Sequence, residues 1–265
     1  MTTRPRPLVG VSLKMYFSLA RTRSYLADVA TLGRDVAGSG VDAFVIPDFL
    51  NITTGIDLLR GTGIAVGAQD ASWEDFGALT GEVSPAALRE AGARFVEIGH
   101  AERRRMFAED DIVTARKAAA AARNGLVPLI CIGENVRIDV PDAARTTISQ
   151  VLAALEDVPS EAEVVIGYEP NWAIGQTEPA PPEHVVGVTT RLRDALAHRR
   201  GVTRILYGGS AGPGMFTDVA EGVDGLFLGR FAHDVANFRL VIQEIADHPL
   251  NAHHTDTDDG PADRA

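Results

Sequence analysis

Glu169, His100 and Lys14 are the side chains whose types and positions suit shared chemistry. Glu169 lies in Tyr168-Glu169-Pro170-Asn171-Trp172-Ala173-Ile174-Gly175, directly after the apolar run Val164-Val165-Ile166-Gly167, where a buried strand gives way to a loop. Pro170 fixes its own φ and restricts Glu169, while Trp172 is a large apolar body able to swing with the loop. The pattern reads as a carboxylate base beneath a lid; the plainer alternative is an acidic residue opening a solvated turn. His100, in Gly99-His100-Ala101-Glu102-Arg103-Arg104, stands just before a short helical stretch. A helix N-terminus disfavours imidazolium, so His100 is expected to be a neutral hydrogen-bond donor, with a simple capping histidine as the alternative. Lys14, in Ser12-Leu13-Lys14-Met15, is either a cation facing the same site or a solvated surface charge. A base, a neutral donor and a cation together suit removal of a proton from a carbon beside a carbonyl, because the resulting enediolate oxygen must be stabilised. The turns Tyr207-Gly208-Gly209-Ser210 and Leu228-Gly229-Arg230 let backbone N–H groups approach an anion, and Gly175 on the lid loop adds another small residue.

Such residues act together only if the elements before them end at one place. Apolar or β-branched runs recur at Leu8 to Val11, Ala43 to Ile46, Ile64 to Gly67, Phe95 to Ile98, Val127 to Ile132, Val164 to Tyr168, Arg204 to Tyr207 and Gly225 to Leu228. Between them Arg21 to Val36, Ile112 to Arg123, Ala143 to Leu155, Pro182 to His198 and Phe238 to Ala246 carry helical spacing. Strands alternating with helices imply parallel pairing. The expected fold class is α/β, a closed (β/α)8 barrel whose site is built by the loops after the strands. A doubly wound open sheet is the alternative, but no Gly-x-Gly-x-x-Gly follows the first strand. One barrel domain is expected over residues 1–250. Residues 251–265, with His253, His254 and an acidic run lacking apolar periodicity, are expected to form a disordered tail.

A chain of 265 residues with 45% hydrophobic and 23% charged residues can bury one large core. Its net charge of -11 opposes nucleic acid and anionic membranes as partners, without forbidding a local phosphate pocket. Cys131 is the only cysteine, which rules out an intrachain disulfide and suits a reducing cytoplasm; its apolar surroundings point to a buried structural thiol. No stretch reads as a signal segment or membrane span. No metal or cofactor is expected, since the proposed proton transfer needs neither.

From about Val9 to Phe238 the chain resembles the triosephosphate isomerase family. The resemblance is carried by Leu13-Lys14-Met15, Gly67-Ala68-Gln69, Thr80-Gly81-Glu82-Val83-Ser84-Pro85, Gly99 to Arg104, Cys131-Ile132-Gly133-Glu134, Tyr168 to Gly175 and Tyr207 to Ser210. It implies a TIM barrel in which Glu169 is the base, His100 the electrophile and Lys14 the substrate-binding cation, with Gly175, Ser210 and Gly229 at the phosphate. The glutamate base, neutral histidine and closing lid are a standard illustration of this enzyme, so those roles come from the resemblance. It also implies a homodimer, reached through the loop Gln69 to Thr80 with Trp73 and Phe76.

The departures from the family concern the substrate envelope. Ser12 and Leu13 stand where the family usually has Asn and Trp, and Ala101 replaces the serine after the histidine. Gln176-Thr177-Glu178 replaces a Thr-Gly-Lys hinge, and Arg230 replaces a second glycine. In these respects the sequence looks more like relatives that isomerise erythrulose phosphates. The expected reaction is conversion of L-erythrulose 1-phosphate to D-erythrulose 4-phosphate, with Ser12 making room for the larger ketose and Arg230 near the phosphate. The alternatives are an ordinary triosephosphate isomerase and a non-catalytic sugar-phosphate binder.

Overall fold

Eight parallel strands pair in sequence order and close, β8 returning to β1. This computed structural model describes residues 4–254 apart from Thr177. The elements run β1 (Leu8–Ser12), α1 (Leu19–Ala30), α2 (Gly33–Ala37), β2 (Asp42–Ile46), α3 (Ile52–Leu58), β3 (Ile64–Ala68), α4 (Pro85–Ala91), β4 (Phe95–Ile98), α5 (Ala101–Phe107) and α6 (Asp111–Arg123). They continue with β5 (Val127–Ile132), α7 (Val140–Ala154), β6 (Val164–Tyr168), α8 (Pro182–Leu196), β7 (Thr203–Tyr207), α9 (Met215–Val219), β8 (Gly225–Leu228) and α10 (Val235–Asp247). The fold is thus the (β/α)8 barrel that the alternation of runs predicts.

Side-chain alternation along each strand separates two cores. Leu8, Phe44, Ile46, Phe95, Leu129, Val165, Leu206 and Phe227 pack together as the barrel interior. Their neighbours, including Val9, Val45, Val96, Ile130, Ile166, Ile205 and Leu226, pack outward with the helices. Two glycines permit this close packing. A Cβ at Gly10 would meet the Phe44 ring at 2.0 Å, and one at Gly225 would meet the Leu8 carbonyl oxygen at 1.8 Å, across the seam that closes the barrel.

The expected helix over Arg21 to Val36 is two helices, α1 and α2, interrupted at Thr31 and Leu32. Helix α2 begins at Gly33, where a Cβ would press on Thr62 at 2.9 Å. Helices α3, α4 and α9 span five to seven residues each, too few for a helical period to stand out in the sequence. The boundary of the expected tail also moves. A 3-10 helix covers Pro249–His254, and Asn251 is buried, its side-chain amide donating to the Ile245 carbonyl at 2.9 Å. That hydrogen bond satisfies a carbonyl at the end of α10. The remainder of the expected tail, 255–265, lies outside the described residues.

A buried ion network anchors the loop after β3. Lys117 on α6 donates to both Asp70 oxygens, at 2.8 and 2.7 Å, and to Glu109 at 2.6 Å. Arg103 on α5 reaches Asp70 and Glu109, each at 2.7 Å. Removing one member of a buried charge cluster leaves its partners uncompensated, at a cost of about 3–5 kcal/mol. Lys117→Met is therefore expected to lower Tm by on the order of 10 °C, measurable by thermal unfolding. An unchanged Tm would mean that the network contributes no stability.

Candidate active site

The barrel's inward rows end in charge. Ser12 continues the row of Leu8 and Gly10, Glu97 follows Phe95, and Glu169 follows Val165 and Gly167. All three are at most 6% exposed. Lys14, one residue pair beyond Ser12, has a φ of 48°, in the left-handed region that a non-glycine residue rarely occupies. Its carbonyl accepts a hydrogen bond from Gln69 Nε2 at 2.9 Å, a contact that helps hold this strained turn.

The three residues singled out from sequence come together. Lys14 Nζ lies 2.9 Å from His100 Nε2, and the same ring nitrogen lies 3.2 Å from Glu169 Oε2. Lys14 also pairs with Glu102 at 3.0 Å. Burial opposes its charge, but Glu97, Glu169 and Glu102 outweigh that and raise its pKa, so it stays a cation.

His100 caps α5, its Nδ1 accepting the backbone N–H of Glu102 at 3.1 Å. A proton on Nδ1 would set it against the Glu102 N–H, so in the neutral ring Nε2 carries the proton, and Lys14 Nζ at 2.9 Å is a second donor beside it rather than its hydrogen-bond partner. Burial disfavours the charged ring, yet Glu169 and Glu97 overcome it and move the pKa up from its ordinary 6.5. The expected neutral imidazole therefore depends on the N–H at the helix N-terminus, because the surrounding carboxylates favour the cation.

Burial alone would push Glu169 upward. His100, Lys14 and the nearby Gly209 N–H reverse this and hold its carboxyl below the ordinary 4.5. Its Oε2 is buried and accepts no hydrogen bond from the described residues, His100 Nε2 being close but not aligned for one. An ionised oxygen without a donor is free to take a proton. Two glycines make room for this residue. A Cβ at Gly208 would come within 2.5 Å of Glu169 Oε1, and one at Gly133 within 1.8 Å of the Glu169 carbonyl oxygen.

Beside this triad, Ser12, Lys14, Gly175, Ser210, Gly229 and Arg230 line one cleft of about 720 Å³. Gly175 has a φ of 75°, and a Cβ there would lie 4.0 Å from Arg230 Nη2, so the lid and the guanidinium meet at the cleft. Gly229 has open space around it. The Ser210 hydroxyl is 3.1 Å from the Ala173 carbonyl and 3.2 Å from that of Gln176, and so ties down the lid. Of the altered hinge, Gln176 and Glu178 are exposed and Thr177 lies outside the described residues.

The lid is braced at both ends. At its root, buried Glu134 accepts from Trp172 Nε1 at 2.8 Å and from Tyr168 Oη at 3.2 Å, and its Oε1 is 3.0 Å from His184 Nε2. At its far end the Ala180 N–H donates to Tyr207 Oη at 3.3 Å. Cys131 is buried, and burial, Glu169 and Glu97 push its thiol well up, which keeps it protonated and inert as expected. Among the described residues, no group of three or more His, Cys, Asp and Glu side chains is arranged to hold a metal ion.

Sequence reading assigned no role to Glu97, nor to Glu102 and Glu134, which it noted only as members of motifs. Glu97 was nevertheless visible as a lone acid in the apolar run Phe95-Val96-Glu97-Ile98, and the inward parity set by Phe95 places it inside the barrel.

The family model described as triosephosphate isomerase matches residues 7–245. Among curated proteins, one from Pectobacterium atrosepticum named L-erythrulose-1-phosphate isomerase is 44% identical over 89% of this chain and 94% of its own length. One of the same name from Mycolicibacterium smegmatis is 41% identical over 91% and 94%. A protein from Listeria monocytogenes named "Probable triosephosphate isomerase 2" is 34% identical over 91% and 98%.

The charges around Glu169 have a direct consequence. Its depressed pKa favours the folded state at neutral pH, and that contribution is lost as pH falls from the ordinary carboxylate range through the lowered value. In a carbon-detected NMR titration, Glu169 is expected to ionise below 4.5, and Lys14→Met to shift it upward. A titration at or above the ordinary value in the parent protein would contradict this electrostatic account.

Proposed function

Because the chain belongs to the triosephosphate isomerase family, we propose that this isomerase converts L-erythrulose 1-phosphate to D-erythrulose 4-phosphate. The observation that carries the chemistry is the buried, donor-free Glu169 Oε2 set 3.2 Å from His100 Nε2, with Lys14 Nζ 2.9 Å from that nitrogen. Glu169 removes the proton from C3, the electron pair shifts to the C2–C3 bond, and the C2 carbonyl becomes an enediolate oxygen. The His100 Nε2–H and the Lys14 ammonium stabilise that oxygen. Glu169 then delivers a proton to C2 while the C3 hydroxyl proton passes to the C2 oxygen, His100 being the adjacent carrier. The ketone has moved by one carbon and the base is regenerated. Gly175, Ser210 and Gly229 meet the phosphate through the backbone, and Arg230 adds a guanidinium at the lid. The braced lid keeps water from the enediolate, which can otherwise lose its phosphate.

The four-carbon substrate is supported by the names of the relatives at 44% and 41% identity and by the small residues Ser12 and Ala101. The "Probable triosephosphate isomerase 2" relative favours the second reading, interconversion of dihydroxyacetone phosphate and glyceraldehyde 3-phosphate. A non-catalytic binder would need none of the three groups that meet at His100.

The protein is further proposed to act as a homodimer in the cytoplasm. Met15 is 93% exposed and Phe76 84%, and Tyr16 and Leu50 are exposed too, an apolar set that a second copy would cover. Among the described residues no helix is long and apolar enough to cross a membrane.

Turnover of both substrates tests the reaction. The expected result is a kcat/KM for L-erythrulose 1-phosphate roughly 10- to 200-fold above that for glyceraldehyde 3-phosphate, with Glu169→Gln abolishing hydrogen exchange from solvent deuterium in either. Equal values, or a preference for the three-carbon ester, would return the protein to the second reading. Sedimentation should give a dimer at micromolar concentration, and a fully active monomer would overturn that assignment.

A further inference from the structure

Glu97 is the charge in the barrel that the chemistry above does not use. It sits on β4 between apolar neighbours, 3% exposed, one pleat below the turn that carries His100. Its Oε2 accepts a hydrogen bond from Ser12 Oγ at 2.7 Å, and its Oε1 lies 4.0 Å from His100 Nε2. Within 4 Å it has no Lys or Arg partner among the described residues; Lys14 pairs with Glu102 instead. A carboxylate held inside a barrel by one hydroxyl is costly, and an apolar side chain would fill the same place at less cost.

Its position fits a ligand group. The Ser12–Glu97 bond joins β1 to β4 across the barrel interior, beneath the plane in which Lys14, His100 and Glu169 meet. The phosphate-binding turns lie toward β7, β8 and the lid. A ketose phosphate placed with its phosphate on those turns and its reacting carbons between His100 and Glu169 would extend its remaining carbon away from the turns, toward Ser12, which lines the same cleft and holds Glu97. In a four-carbon ester that carbon bears a hydroxyl; in a three-carbon ester it is missing.

We propose that Glu97, positioned by Ser12, recognises the terminal hydroxymethyl group of the substrate, its carboxylate accepting a hydrogen bond from that hydroxyl. The inference rests on the four-carbon reading and assigns the residues that select it. A site built to bond a hydroxyl discriminates strongly against an analogue without it, because the buried acceptor is then left short of a donor.

The test compares L-erythrulose 1-phosphate with its 4-deoxy analogue, which has the same carbon count but ends in a methyl group. The parent enzyme is expected to favour the hydroxylated ester by about 10- to 100-fold in kcat/KM. Glu97→Gln should reduce that ratio to within about 3-fold of unity, with the larger part of the change in KM. Ser12→Ala keeps the carboxylate but loosens it, and should reduce the ratio in the same direction if the Glu97 variant does not fold. Equal losses on both esters would assign Glu97 a structural role and overturn the proposal. A parent enzyme indifferent to the 4-hydroxyl would overturn it as well, while leaving intact a preference for four carbons over three. Preference for glyceraldehyde 3-phosphate, by contrast, removes the four-carbon reading itself and this inference with it.

Discussion

The contact of Lys14 Nζ and Glu169 Oε2 with one nitrogen of His100 is the interaction on which the rest of the site depends. Neither charge is comfortable there, because burial penalises both. Lys14 is kept ionised by Glu97, Glu169 and Glu102, and Glu169 by His100 and Lys14. That arrangement needs a cation from the end of β1, an imidazole after β4 and a carboxylate after β6, three strand ends that only a closed barrel brings within a few ångströms. The strained φ of Lys14 and the glycines pressed against Glu169 are local departures that let the three meet.

The surrounding structure serves that contact in two ways. The helix N-terminus at α5 selects the imidazole tautomer through the Glu102 N–H, directing the ring proton toward the reacting oxygens. The lid hangs between Glu134 at its root and Tyr207 and Ser210 at its far side. A loop fixed by hydrogen bonds at separated points moves as a unit, which suits exclusion of water from an unstable enediolate.

Below the reacting plane the barrel turns from a packed apolar core to a polar floor. Phe44, Phe95 and Phe227 fill the interior, and Ser12 with Glu97 lies above them. A buried acceptor in that polar floor penalises whatever fails to donate to it, which is the physical basis of the selection proposed above.

Much of this was legible in the sequence. Eight short apolar runs alternating with helical spacing point to a parallel α/β fold, and the missing Gly-x-Gly-x-x-Gly favours the closed barrel over a doubly wound sheet. Lys14, His100 and Glu169 stand out because each follows a strand. The short helices α3, α4 and α9 were not legible, since five to seven residues show no clear period; nor was the burial of Asn251, whose side chain donates to the Ile245 carbonyl near the end of α10. The tertiary structure alone decided the pairings. Ser12 meets Glu97 across 85 positions of sequence, and Ser210 turns its hydroxyl to the lid. It also decided that the neutral His100 expected from the helix terminus is opposed by two carboxylates. Sequence determines which groups occur at strand ends, through local periodicity; which of them share a proton or a partner is set by barrel closure, a property of the whole chain.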